Sequence, residues 1–240
     1  SPAGVRGLPR GEKGRRRAAG RGHRRVSCNR QTVMVYFTGA QAQYTTAKRW
    51  SVMNEIKDIA LAPDGRKKID WVKRNMPLLS ALEREFTAEK PFEGLKIALS
   101  VHLEAKTAYL CEVLTAGGAE MYITGSNPLS TQDDVAAALA ARGLNVFAVH
   151  NPPQGVYERL LERVIAPGPN IIIDDGGDLV NLIHGKYAAL LPGVMGGCEE
   201  TTTGIMRLRA MAGAGELKFP MIAVNDARCK YLFDNRYGTG

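Results

Sequence analysis

Short apolar runs recur down this chain, each separated from the next by a segment of helical periodicity, and this alternation restricts the fold more than any other feature. LKIALSV, EMYIT, LNVFAVH, NIIIDD and PMIAV have strand length. Between them lie EAKTAYLCEVLTAGG, TQDDVAAALAARG, GVYERLLERVI, GDLVNLIHGKYAALL and TTTGIMRLRAMAGAG, with apolar residues at helical spacing. Strands that are apolar on both faces need cover on both, and strands joined through helices pair in parallel. The expected fold class is therefore α/β, a doubly wound, mostly parallel sheet with helices on both faces. Residues 67–86 add a further helical pattern, Ser130 or Thr131 is the expected cap of the helix that follows, and a last helix is expected from about Ala227.

At 240 residues and 45% hydrophobic, the chain can bury a substantial core. No apolar run reaches the roughly 18 to 20 residues that span a bilayer, and no signal-like apolar segment opens the chain, so a reducing, cytosolic setting is the expectation. Four scattered cysteines, Cys28, Cys111, Cys198 and Cys229, include no C-x-x-C pair and no histidine at ligand spacing, and so suggest neither a disulfide framework nor a metal site. The charge of +8 points to nucleic acid until it is divided along the chain. Residues 1–50 hold 12 of the 32 Lys and Arg but one of the 24 acids, Glu12, leaving 20 bases against 23 acids for the remainder. This Arg- and Gly-rich arm, expected to be disordered to about residue 31, has three readings: a nucleic-acid arm, a targeting segment, or residues outside the functional protein, with Met53 as a start. It lacks aromatic residues for base stacking, which weakens the first.

Ligands of open parallel sheets sit beyond the carboxyl ends of the strands. Those ends are polar here: His102, then Gly125-Ser126-Asn127, Asp174-Asp175, Glu199-Glu200 and Asn225-Asp226. In DDGGD (174–178), glycines allow close backbone approach and a carboxylate can accept from the vicinal hydroxyls of a ribose, although a tight turn with Asp178 as helix cap would also account for it. His102, between strand and helix, is placed to move protons, or else it packs or caps. Lys230 and Asp234, four apart, share one helical face and could share a substrate hydroxyl. A desolvated Lys230 would have its pKa lowered toward that of a base, whereas on a surface the pair would count for little. Glu200-Thr201-Thr202-Thr203-Gly204 reads as a helix entrance with three hydroxyls where capping needs one, which suits a polar or phosphorylated ligand.

Taken together, HLEAKTAYL, GSNPLSTQDDVAAALA, IIIDDGGDLVNLIH, EETTTGIMRL, VND and KYLFDNRYGTG closely resemble the S-adenosylhomocysteine hydrolase (adenosylhomocysteinase) family, from about residue 56 to residue 240. The resemblance implies a Rossmann-like substrate-binding domain over residues 51–240. It also implies reversible, NAD-dependent cleavage of S-adenosyl-L-homocysteine to adenosine and homocysteine. Lys230 and Asp234 match the family's pair at the ribose hydroxyls, with Lys230 assisting 3′-hydroxyl deprotonation. Asp175 and Glu200 match substrate-contacting carboxylates, and His102 matches the histidine that acts at C5′. Thr201, Thr202, Thr203 and Asn235 match NAD contacts.

HLEAKT, with Glu104 and Lys106, is similar to the archaeal and thermophilic-bacterial branch, whose members also act on S-inosylhomocysteine; Glu104 is counted among the substrate-binding candidates, with adenine the favoured base. Cys198 stands where the family usually has Ser. No G-x-G-x-x-G following a strand occurs, so the resemblance implies that the family's NAD-binding domain is missing from these residues and that the chain alone is inactive. A non-catalytic nucleoside-binding homologue is the alternative from another class. The family's tetrameric assembly is the partner expectation, with no membrane, and nucleic-acid binding through the arm is the weakest reading.

Overall fold

The computed structural model describes residues 25–28, 31–34 and 54–238, which fall in two separate units. In the first, β1 (Arg25–Cys28) and β2 (Gln31–Met34) pair antiparallel, an element that the composition of the arm did not suggest. The rest of the arm expected to be disordered lies outside the described residues.

The second unit alternates strand and helix as the periodicity requires. Its elements are β3 (Glu55–Ile56), α1 (Ala62–Asn75), α2 (Pro77–Glu89), β4 (Lys96–Ser100), α3 (Ala105–Ala116), β5 (Glu120–Thr124), α4 (Asp133–Ala141) and β6 (Asn145–Ala148). There follow α5 (Val156–Ile165), β7 (Ile171–Asp174), α6 (Asp178–His184), β8 (Gly196–Glu199), α7 (Thr202–Gly213), β9 (Met221–Ala223) and a terminal π-helix, Lys230–Gly238. The helical pattern over 67–86 belongs to two helices, because Pro77 has no N–H to continue the first and drives Met76 out of helical geometry, to φ −120° and ψ 75°. Neither Ser130 nor Thr131 caps α4. Gln132 occupies that position, and both hydroxyls bond instead to the carbonyl of Asn127.

Seven strands form one sheet in the order β3-β6-β5-β4-β7-β8-β9, every pair parallel. Winding begins at the centre with β4, moves outward through β5 and β6, then crosses back to β7, β8 and β9. The order reverses between β4 and β7, which opens a crevice beyond their carboxyl ends.

Period-2 alternation sends Ile97 and Leu99 to one face, against Val135 and Leu139 of α4 and Ala108 of α3. Ala98 goes to the other, with Tyr122 and Ile172, under Leu161 and Val164 of α5 and Leu179 and Ile183 of α6. Each fully buried aliphatic side chain contributes about 1.5–3 kcal/mol, so the two cores fix the sheet between its helix layers. Among the described residues no helix is long and apolar enough to cross a membrane.

The layer holding α1 depends on Gly65, where an added Cβ would fall 1.9 Å from the Asp134 carbonyl oxygen. Gly65→Ala is expected to destabilise the fold by about 1–3 kcal/mol through overpacking, seen as a lower urea midpoint. Gly213→Ala, with open space at its Cβ, is expected to leave the midpoint unchanged or slightly raised.

Candidate functional site

Two groups of side chains gather at the carboxyl edge of the sheet. The first flanks the β4–β7 crevice. His102 follows β4 and is exposed; its Nε2 lies 3.5 Å from Asp175 Oδ2 and its Nδ1 meets Ser130 Oγ. The same Asp175 oxygen accepts from Ser126 Oγ at 2.8 Å. Ser126 is fixed in turn by Tyr157, whose hydroxyl donates to the Ser126 carbonyl at 2.7 Å. An imidazole set against a carboxylate is placed to pass a proton to a neighbouring group or to take one from it.

The second group centres on Lys230, at the start of the π-helix. Its Nζ lies 2.8 Å from Asp234 Oδ2, 3.3 Å from Glu200 Oε1 and 2.9 Å from Asn235 Oδ1. A π-helix carries more residues per turn than an α-helix, so positions i+4 and i+5 both face residue i. That is why one ammonium reaches Asp234 and Asn235 together. The Asn235 amide then donates to Asn225 Oδ1 at 3.1 Å, tying the segment to the end of β9.

Burial pushes the Glu200 carboxyl above its usual range, and although Lys230 opposes this, the charges of Asp175 and Asp234 add to it. The Asp175 contribution makes the two groups electrostatic neighbours. Lys230 departs from expectation. Burial does act to lower its pKa, but the hydrogen bond to Asp234 and the charge of Glu200 outweigh burial, and the ammonium is held above its ordinary value. With carboxylates outnumbering the single cation, the proton stays on the amine.

Thr201 precedes α7 as its N-cap residue without making a side-chain cap, and Thr202 and Thr203 are exposed in the first turn. The N-terminus of α7 thus keeps backbone donors, hydroxyls and the positive end of its dipole available to a polar ligand. Glu104 stands apart in role. Its Oε1 caps α3, accepting from the N–H groups of Lys106 at 3.0 Å and Thr107 at 3.2 Å, which leaves one oxygen for any other use. Beside the site, burial raises the Cys198 thiol, with Glu200 adding to it. Among the described residues no group of histidines, cysteines and acids could hold a metal ion.

Sequence reasoning assigned no site role to Ser126 or Tyr157, and gave Ser130 only a helix-capping role. The signal available for the serines was the polar turn after β5, whereas Tyr157 lies on a helix with nothing local to mark it.

Comparison with known proteins points to one family. The family profile described as S-adenosyl-L-homocysteine hydrolase matches residues 53–189 and 184–236. An S-inosyl-L-homocysteine hydrolase of Methanococcus maripaludis is 55% identical over 188 residues, covering 78% of this chain and 45% of the relative. An adenosylhomocysteinase of Pyrococcus abyssi is 55% identical over 185 residues, covering 77% and 44%, and one of Aquifex aeolicus is 51% identical over 187 residues, covering 78% and 45%. The chain thus spans less than half the length of these curated relatives.

Behind the site, the wholly buried Asp174 carboxyl accepts from Val180 N at 3.0 Å and Asp175 N at 3.1 Å. Burial raises its pKa from 3.8 to about 8, against the effect of the Val180 N–H and with the charge of Glu199 adding to the rise. An acid with a raised folded-state pKa binds its proton more tightly when folded. Its contribution to stability is therefore complete below about 3.8 and is lost as pH rises toward about 8. Urea denaturation at pH 5 and pH 8 should show wild type losing stability relative to Asp174→Asn, with a slope of up to about 1.4 kcal/mol per pH unit for one proton. Parallel pH profiles would contradict the assignment.

Proposed function

The chain belongs to the S-adenosyl-L-homocysteine hydrolase family, and on that premise we propose that the carboxyl edge of its sheet holds the nucleoside sugar of S-adenosyl-L-homocysteine. The observation that carries the reading is the Lys230 cluster, one ammonium set among Glu200, Asp234 and Asn235 beside the Asp175–His102 pair. A ribose offers vicinal hydroxyls, each a donor and an acceptor, and these carboxylates and this amine supply complementary partners.

The proposed reaction is the reversible cleavage of S-adenosyl-L-homocysteine to adenosine and L-homocysteine. Asp175 and Glu200 accept hydrogen bonds from the sugar. Lys230 and Asp234 share the hydroxyl to be oxidised. In the arrangement described Lys230 is an ammonium, held so by Asp234 and Glu200; a substrate hydroxyl that engages one of these carboxylates weakens that hold, the ammonium passes a proton to the other carboxylate, and the neutral amine then accepts the hydroxyl proton. His102, with Asp175 against Nε2, is placed to exchange a proton with the departing thiolate and the entering water.

NAD fits the residues at the N-terminus of α7, where Thr202 and Thr203 are exposed and no side chain caps the helix. Thr201, Thr202, Thr203 and Asn235 would hold it, and when bound it supplies a reversible hydride acceptor for the sugar carbon. A cytoplasmic setting and assembly into a tetramer belong to the same reading.

The purine is the open choice within this reading. Relatives named for the adenosyl and for the inosyl substrate stand at the same 55% identity, which keeps S-inosyl-L-homocysteine as the second reading.

Calorimetric titration of the 240-residue chain with adenosine and with inosine tests the proposal. Binding of one or both is expected, and Lys230→Met should weaken it by about 10- to 100-fold, the loss of one charge-assisted hydrogen bond. Tighter inosine binding would select the second reading, and no heat from either nucleoside would remove both.

A further inference from the structure

A row of buried polar residues crosses the sheet behind the site, at one register level. Thr124, Ser100, Asp174 and Glu199 are successive partners on β5, β4, β7 and β8, each 0–1% exposed. Register partners on parallel strands share a face, so the row continues the apolar one formed by Tyr122, Ala98, Ile172 and Gly197 two residues earlier. Glu199 has no contact with solvent and no part in the chemistry above, yet its placement is specific. Its Oε1 accepts from Gly176 N at 2.9 Å and from Thr201 N at 3.0 Å.

Those two N–H groups belong to the peptides that immediately follow Asp175 and Glu200. One oxygen therefore holds together the backbone just beyond each of the two carboxylates assigned to the sugar. The first turn of α7 closes on the same group. A Cβ at Gly204 would fall 2.2 Å from the Glu199 carboxyl carbon and 2.3 and 2.5 Å from its oxygens, so the helix start packs against the carboxyl group with no room for a side chain. The other oxygen, Oε2, is buried and finds no hydrogen-bond partner among the described residues.

We propose that Glu199 is a positioning residue that fixes the separation of Asp175 and Glu200 by anchoring both following peptides on a single carboxyl oxygen, and thereby tunes nucleoside affinity. The proposal rests on the reading of Asp175 and Glu200 as partners of the sugar. Burial raises the Glu199 pKa despite its N–H donors, and glutamine keeps an acceptor oxygen on a side chain of the same length.

Two conservative variants separate this role from general packing. Glu199→Gln keeps the acceptor oxygen where it is, whereas Glu199→Asp keeps the acid but withdraws it by about 1.5 Å, one C–C bond. Amide hydrogen exchange of Gly176 and Thr201 is read by NMR against the β4 amides, and adenosine and inosine affinities are read by calorimetry. In Glu199→Asp both amides are expected to exchange at least about tenfold faster while the β4 amides are unchanged, and the nucleoside Kd is expected to rise by about tenfold. Glu199→Gln should stay within about threefold of wild type in both readouts.

Protection retained at either amide in Glu199→Asp, or both amides opened with an unchanged Kd, would overturn the proposal. If wild type binds neither nucleoside, the functional reading of the site falls, and the exchange result by itself then accepts or rejects the anchoring.

Discussion

The pairing of β4 with β7 is the contact on which the site depends. The two strands are not consecutive, and the chain must leave β4, build one half of the sheet and return before they meet. Where they meet, the winding reverses, and the loops after the two strands part instead of covering one another. His102 comes from one of those loops and Asp175 from the other, and their approach to 3.5 Å follows from the register of Ser100 against Asp174. The large apolar faces of the sheet supply the free energy that holds this register, since a slip of one residue would exchange the faces of every side chain on a strand.

The doubled acids of the sequence divide their work at this edge. Asp174 and Glu199 are wholly buried, and both direct their oxygens to backbone N–H groups: Val180 and Asp175 for the first, Gly176 and Thr201 for the second. The donors offset part of the cost of taking a carboxyl out of water, and burial still raises both pKa values. Their successors, Asp175 and Glu200, sit beyond the strand ends and meet His102, Ser126 and Lys230 instead. Each acidic pair therefore joins an inner residue bonded to backbone N–H groups to an outer one that meets other side chains. The buried acids brace the backbone, and Glu200 together with Asp234 keeps Lys230 protonated.

Much of this was legible in advance. The apolar runs marked the strands, the helical segments between them implied parallel pairing, and the polar residues at strand ends marked the edge where ionisable side chains gather. His102, Asp175, Glu200, Lys230 and Asp234 were singled out by their places at strand ends, at a helix entrance or four apart on a helical face, and their roles came from the family resemblance. Less was legible where neighbours in space decide. Pro77 broke a continuous helical pattern, Asn127 claimed the hydroxyls of Ser130 and Thr131, and the Lys230 pKa went up although burial alone would have lowered it.

By itself, the order of residues determined the layer architecture and which strand ends carry polar groups, because periodicity and burial are local properties of a segment. Tertiary structure alone decided that one Glu199 oxygen would anchor the peptides after Asp175 and Glu200, and that a π-helix would bring both Asp234 and Asn235 to one amine. Those outcomes depend on strand register and on charges that converge from distant segments, and electrostatic and hydrogen-bond energies are set by distances in space that spacing along the chain does not encode.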